Sequence, residues 1–314
     1  MPLRDDWLSA GELIRRLDRT IPGSLCHLEI LLVDDGSTEA CHPADFQHDF
    51  MSVKIIRKLR LRRNLGHQRA IAIGLAHIEK TASCDAVLVM DADGEDTPDG
   101  ALQLVTKFVE EGGAQAIFAE RSRRTEPALF RFLYSVYKIL HRALTGLSVR
   151  VGNFSILPAR YLSTLVVVPE MWNHYAAAVF RSNLPFTMIP IPRGYRIAGT
   201  SRMNFISLVT HGLSAIAVFG DVVGVRMLIA SLMGSILVAL AIVAVAAIRL
   251  LTDLAIPGWA TYAAGTLGIL FMQFLAIAIT FTFFILSSRM NLGFLPMRDY
   301  SFFVEETVDI YPCD

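Results

Sequence analysis

The chain has 314 residues, 53 % of them hydrophobic and 18 % charged, with a formal net charge of zero. That length holds one sizeable domain and something smaller, and the balanced charge excludes a globally basic nucleic-acid footprint, so no nucleic-acid partner is expected. The four cysteines, Cys26, Cys41, Cys84 and Cys313, have neither metal-ligand spacing nor a disulfide pattern, which fits a reducing compartment.

No basic-then-apolar signal opens the sequence, so the N-terminal part is expected to stay on the side where it is made. Glu12–Leu17 falls in an amphipathic helical stretch. Glu29–Val33 is a compact apolar run ending in Asp34 and Asp35, the pattern of a buried strand capped by acids. Val53–Ile56 is a second strand candidate, Gly66–Ile78 has helical spacing, and Ala86–Met90 is another short strand ending in acids. Pro98 suits a helix start, the stretch to Val109 is helical, and Ala114–Ala119 is a further strand. Strands separated by helices predict a parallel α/β sheet. In such sheets ligands bind beyond the carboxyl ends of the strands, where the acids fall.

Arg131–Leu144 is helical and apolar on one side. Met203–Val218 is amphipathic, either an interfacial helix or one packed on the domain. Arg226 to Arg249 encloses no charge, and Ala255–Ser288 carries none. Each run exceeds the roughly 20 apolar residues that span a bilayer as helix, so two transmembrane helices are expected. Arg202 and Arg226 before the spans and Arg289 and Arg298 after them predict cytoplasmic termini, with Arg249 and Asp253 in the connecting loop. The expected organisation is a catalytic domain over 1–200, an amphipathic juxtamembrane segment over 201–225, two spans over 226–290 and a cytoplasmic tail over 291–314. Small residues Gly234, Ser235, Gly265 and Gly268 can pack a homo-oligomer.

Asp91-Ala92-Asp93-Gly94-Glu95-Asp96 follows a strand directly. Two carboxylates two residues apart can share a hard divalent cation, Mg²⁺ or Mn²⁺, that keeps positions open for phosphate oxygens; the alternative is an acidic turn with a helix cap. Asp34-Asp35-Gly36-Ser37-Thr38 repeats the layout, and Gly36 permits a sharp turn. An Asp there can accept hydrogen bonds from a base or ribose.

Val33-Asp34-Asp35-Gly36-Ser37, then Asn64-Leu65-Gly66-His67 with Ala70 and Gly74, then Met90-Asp91-Ala92-Asp93, resemble in order and spacing the family 2 glycosyltransferases. Within that family the chain is most similar to the polyprenyl-phosphate sugar synthases, such as dolichyl-phosphate mannose synthase and bacterial undecaprenyl-phosphate glucosyltransferases. The similarity covers most of residues 5–225, and the two apolar segments reinforce it.

The resemblance implies a GT-A nucleotide-diphospho-sugar transferase fold with a two-helix membrane anchor, in the cytoplasmic membrane of the cell envelope. It implies transfer of a hexose, with inversion, from a nucleotide-diphosphate sugar to a polyprenyl phosphate of the undecaprenyl type. Asp35 would contact the base, Asp34 and Asp91 would line the nucleoside site, and Gly66 would belong to the donor site. Asp93 would be the principal metal ligand, with Asp91 and with Glu95 where relatives usually carry Gln. Arg121, Arg131 and Ser135 match the acceptor-phosphate residues, although the two arginines stand closer in sequence here. From the residues alone, this basic segment also reads as a solvated face or a lipid-headgroup patch. Gly199-Thr200-Ser201-Arg202 resembles a Gly-x-Ser-Lys segment whose basic residue approaches the donor diphosphate, with Arg202 replacing Lys. No general base is assigned, because a phosphate acceptor is already anionic.

Two departures are visible. Relatives begin with a strand and a Pro-x-Tyr-Asn type segment, whereas Met1–Trp7 reads as lying just past that strand, so the first strand is expected to be missing and the natural start to lie upstream. Asn153 in Gly152-Asn153-Phe154 stands where many relatives carry an acid. Competing functions are transfer to another membrane-proximal glycan or lipid, and a non-catalytic nucleotide-sugar-binding scaffold.

Overall fold

The computed structural model describes residues 1–121, 128–146, 151–198, 205–252, 256, 258–290 and 293–312. Two compact units divide the chain: Met1–Ser135 with Val149–Val218 and Gly293–Asp314, and Val136–Ser148 with Phe219–Leu292. In the first unit β1 (Pro2–Leu3), α1 (Trp7–Thr20), β2 (Leu28–Asp34), β3 (Val53–Leu61) and α2 (His67–Thr81) come first. Then follow β4 (Ala86–Val89), α3 (Pro98–Glu110), β5 (Ala116–Arg121) and α4 (Ala128–Thr145), whose last residues belong to the second unit. β6 (Val151–Pro158), α5 (Leu162–Leu165), α6 (Tyr175–Arg181), β7 (Phe186–Ile191) and α7 (Phe205–Ala217) continue it.

The strands form two four-stranded sheets, ordered β1-β2-β3 with a C-terminal strand outermost, and β4-β6-β5-β7. The α/β class is as expected, but the sheets are mixed rather than all parallel. β6 runs antiparallel to both β4 and β5, while β1–β2, β2–β3 and β5–β7 are parallel. Where no first strand was expected, Pro2–Leu3 pairs with Val33 and Asp34. The Met1 ammonium donates to the Leu31 carbonyl at 2.9 Å. Burial lowers its pKa to about 5, against the pull of Asp91. Beside it an apolar cavity of about 650 Å³ opens between the edges of β2 and β4, lined by Ile30, Leu31, Ile71, Val87, Leu88 and Ile156 among others. Val33 and Met90 reach its lining, but none of the motif carboxylates Asp34, Asp35, Asp91 and Asp93 does, so it is not the candidate site.

Local chemistry explains the elements. β3 alternates buried Val53, Ile56, Leu59 and Leu61 with basic residues; the basic residues made only its first half legible as a strand. α3 starts where Thr97 Oγ1 accepts the Gly100 N–H at 3.1 Å and Pro98 supplies a pre-set φ. Asp18 on α1 accepts the backbone N–H groups of Ser52 at 2.7 Å and Val53 at 2.9 Å, tying the helix to the start of β3.

The second unit contains α8 (Gly220–Leu251) and α9 (Trp259–Met290), helices long and apolar enough to cross a membrane, with only 17 % and 6 % of their most apolar windows buried. Gly234 packs under the Phe274 ring, and Ser235 Oγ donates to the Ser231 carbonyl. A Cβ on Gly265 or Gly268 would meet nothing within 4 Å beyond its own helix among the described residues.

The segment after the second apolar helix, expected as a cytoplasmic tail, carries a helical turn and a strand. After α10 (Pro296–Asp299), β8 (Val304–Tyr311) pairs antiparallel with β3 from Ile56 to Leu61. Ion pairs Arg57–Asp309 and Lys58–Glu306 flank the ladder, though exposed pairs of this kind contribute little. Ile310, 6 % exposed, packs with Phe46, Ile56 and Val53. Ile310→Ala is therefore expected to cost about 2–4 kcal/mol in thermal denaturation, whereas a residue in a solvated tail would cost nothing.

Candidate active site

β2 ends in two buried acids. Asp34 Oδ1 accepts the Ser37 N–H at 2.7 Å, shaping the turn. Asp35 accepts the N–H groups of Leu65 at 2.6 Å and Gly66 at 2.8 Å, one on each carboxylate oxygen. Gly36 adopts φ +68°, and a Cβ there would lie 2.7 Å from the Asn64 nitrogen; only glycine allows this approach without strain. Burial pushes the Asp35 pKa up, against the two backbone hydrogen bonds. Both oxygens thus already clamp the loop that starts α2, in addition to the base contact that the resemblance implies.

The clamp positions His67, the first residue of α2. Its Nε2 lies 3.1 Å from Asp91 Oδ1, so the Asp34–Asp35 turn and the Asp91–Asp93 turn are brought together. Burial disfavours the imidazolium and Asp91 favours it. With 42 % of the His67 side chain exposed, Asp91 wins and the pKa lies above the ordinary value.

Asn153, on β6, reaches the same ring: its Nδ2 is 3.0 Å from His67 Nε2, and its Oδ1 accepts from Gln68 Nε2 at 3.1 Å. Gln68 Oε1 accepts the Tyr175 N–H at 2.7 Å. A backbone N–H can only donate, which orients Gln68 and then Asn153. Asn153 therefore presents its NH₂ to Nε2, which accepts that hydrogen only when unprotonated. Asn153→Asp would place a carboxylate there, and the His67 pKa is expected to rise by about one unit in an NMR titration.

Asp91 follows β4 through Met90, and its N–H donates to Asp96 Oδ2 at 2.9 Å. Asp93 Oδ1 accepts the Glu95 N–H at 2.9 Å, and its Oδ2 lies 3.3 Å from Arg196 Nη1. Burial first, then repulsion from Asp91, raises the Asp93 pKa to about 6, with Arg196 opposing. Asp6, at the start of α1, shares Arg196 at 3.4 Å, and Glu95 is paired with Arg193.

Among the described residues no three acid, histidine or cysteine side chains converge as a ready-made metal cage. The donor set still fits Mg²⁺ or Mn²⁺, which bind through one or two carboxylates and take remaining oxygens from water and phosphate. Asp93, whose charged form burial and Asp91 disfavour, is the position a cation would relieve. Asp91 and Asp93 would hold it, and Glu95 would join after leaving Arg193.

For the acceptor set, Arg121 ends β5 in register with Ile191 of the parallel β7, while Arg131 and Ser135 lie on α4, with Ser135 exposed. The side chains of Arg121 and Arg131, and all of Arg202, fall outside the described residues. His67, Gln68, Asp6, Arg193 and Arg196 had no assigned role from sequence. His67 was discernible as part of the Asn64–His67 motif; the others have no local signal.

A family model described as "Glycosyl transferase family 2" matches residues 7–172. "Uncharacterized glycosyltransferase YkcC" of Bacillus subtilis is 23 % identical over 224 residues, covering 70 % of this chain and 67 % of that protein. "Undecaprenyl-phosphate 4-deoxy-4-formamido-L-arabinose transferase" of Salmonella choleraesuis is 24 % identical over 220 residues, covering 67 % of this chain and 63 % of the relative. The protein of the same name from Salmonella paratyphi B matches equally. The chain thus spans just under two thirds of the length of these Salmonella relatives. With acids at two strand ends joined through His67, and a family match over more than half its length, the chain belongs to glycosyl transferase family 2.

Proposed function

We propose that the protein transfers a hexose, with inversion, from a nucleotide-diphosphate sugar to a polyprenyl phosphate at the cytoplasmic membrane face. The observation that carries this reading is the junction of the Asp34–Asp35 and Asp91–Asp93 turns through His67, in a chain that also has two apolar helices of spanning length. The Salmonella relatives, whose name specifies undecaprenyl phosphate, support the acceptor class.

The acceptor phosphate attacks the anomeric carbon in line as the bond to the nucleoside diphosphate breaks. An anionic nucleophile needs positioning and charge screening more than a base, and Arg121, Arg131 and Ser135 would supply these. A divalent cation on Asp91 and Asp93 would act as a Lewis acid toward the departing diphosphate.

The topology supports a hairpin anchor. β3 and β8 belong to one sheet, which favours two crossings that return the chain to the side it left, and the basic residues flanking the spans favour the cytoplasm as that side.

The test offers radiolabelled UDP- and GDP-sugars to undecaprenyl phosphate in membranes with Mn²⁺ or Mg²⁺. Lipid-linked product from the wild type, absent with Asp93→Ala, is the expected result. No product from any donor would move the reading to another acceptor or to a non-catalytic role.

A further inference from the structure

The segment after β7, residues 192–198, crosses directly over the acidic turn 93–97. Two backbone hydrogen bonds fasten it: the Gly194 N–H donates to the Glu95 carbonyl at 2.8 Å, and the Ile197 N–H to the Asp93 carbonyl at 2.9 Å. Glycines permit the contact. A Cβ on Gly94 would lie 2.5 Å from the Ile197 side chain, and one on Gly194 would lie 2.5 Å from the Thr97 methyl group and 2.9 Å from the Gly94 carbonyl oxygen.

This strap carries two arginines into the acids. Arg196 lies 3.3 Å from Asp93 and 3.4 Å from Asp6, and Arg193 pairs with Glu95. The guanidinium charges therefore stand beside the carboxylates that a cation would use. The Nε atoms of both arginines are buried and make no hydrogen bond, so each retains donor capacity that its carboxylate does not fill. A planar guanidinium suits carboxylate and phosphate oxygens alike, and a nucleoside diphosphate brings more anionic oxygens than one carboxylate offers.

A divalent cation and these guanidiniums compete for the same carboxylates and repel one another at short range. Resting on the donor-site reading above, we infer that Arg193 and Arg196 form an exchange pair. They neutralise Glu95 and Asp93 before ligand arrives, yield those carboxylates to the divalent cation, and take up the donor's diphosphate instead. Cation alone must displace the arginines without giving them a partner, whereas cation with diphosphate supplies one. The two ligands are therefore positively coupled, and by linkage each tightens the other. Arg193 and Arg196 are diphosphate-binding residues that oppose the metal until the nucleotide is present.

Calorimetric titration of the full chain in detergent micelles tests this, first with Mn²⁺ alone, then with UDP and with GDP at saturating Mn²⁺. The doubly substituted Arg193→Gln, Arg196→Gln protein is expected to bind Mn²⁺ alone about tenfold more tightly than wild type, and Mn²⁺–nucleoside diphosphate about tenfold more weakly. The opposite signs separate exchange from misfolding, which would weaken both. Mn²⁺ affinity that is unchanged or weaker in the variant overturns the exchange. Tighter Mn²⁺ binding in the variant, with neither nucleotide binding either protein, would instead sink the nucleotide-sugar reading and leave the competition standing. The wild type alone gives a second measurement, trypsin cleavage after Arg193 and Arg196 followed by mass spectrometry. Cleavage should accelerate with Mn²⁺ alone and slow again when the matching nucleoside diphosphate is added; cleavage indifferent to Mn²⁺ overturns the inference.

Discussion

Asp93→Ala is expected to lower metal-dependent sugar transfer by about 10³-fold, the scale on which a group stabilising transition-state charge acts. The loss should fall on kcat, because in the proposed reaction the charge that a cation on Asp93 would balance grows as the diphosphate departs. The milder Asp93→Asn separates function from folding. Burial and Asp91 raise the Asp93 pKa from 3.8 to about 6, so between those pH values the folded state binds a proton that the unfolded state has lost. Stability therefore falls as pH rises through that window, and above it the ionised carboxylate carries the full cost, about 3 kcal/mol at most. Without divalent cation, Asp93→Asn should melt at a higher temperature than wild type at pH 7.5, and the difference should close as pH falls toward 4. A lower melting temperature at pH 7.5 would show instead that the ion pair with Arg196 outweighs burial. The expected pattern is a carboxylate kept in a costly position because its charge is used.

The parts of this site that sequence makes legible are those whose signal is local. Leu28–Asp34 and Ala86–Val89 are short apolar runs that stop at acids, and both form strands whose ends carry the candidate site. The helix pair is equally plain, since lack of charge over a bilayer's thickness has few other causes. Long-range pairing has no such signature. Arg57 meets Asp309 across 252 residues of sequence, and Val304–Tyr311, with its Glu, Thr and Asp residues, looks polar until β3 is known to be its partner. β6 inserts antiparallel between β4 and β5; the few residues around Asn153 do not reveal which edges they join. The strap arginines are hidden for the same reason, because nothing near Arg196 in sequence specifies Asp93. Asp35 shows a different limit. The resemblance implies a ligand contact for it and gives no hint that both its oxygens also fasten backbone.

Asp35→Ala is accordingly expected to damage the fold as well as the site. The substitution leaves the Leu65 N–H buried without its acceptor and removes the partner of Gly66. At about 1–3 kcal/mol for each unsatisfied buried group, the cost should be about 3 kcal/mol, read as a lower melting temperature and faster amide exchange at Leu65 and Gly66. Asp35→Asn should rescue only part, since its NH₂ would face one of the two backbone N–H donors. Because the clamped loop delivers His67 to Asp91, nucleoside-diphosphate binding should weaken in both variants, together with the loss of exchange protection. A residue acting only through the base would give weaker nucleotide binding with unchanged melting and exchange. The coupled loss is expected here, since the carboxylate for which the resemblance implies a base contact also builds the loop that carries His67 into the proposed donor site.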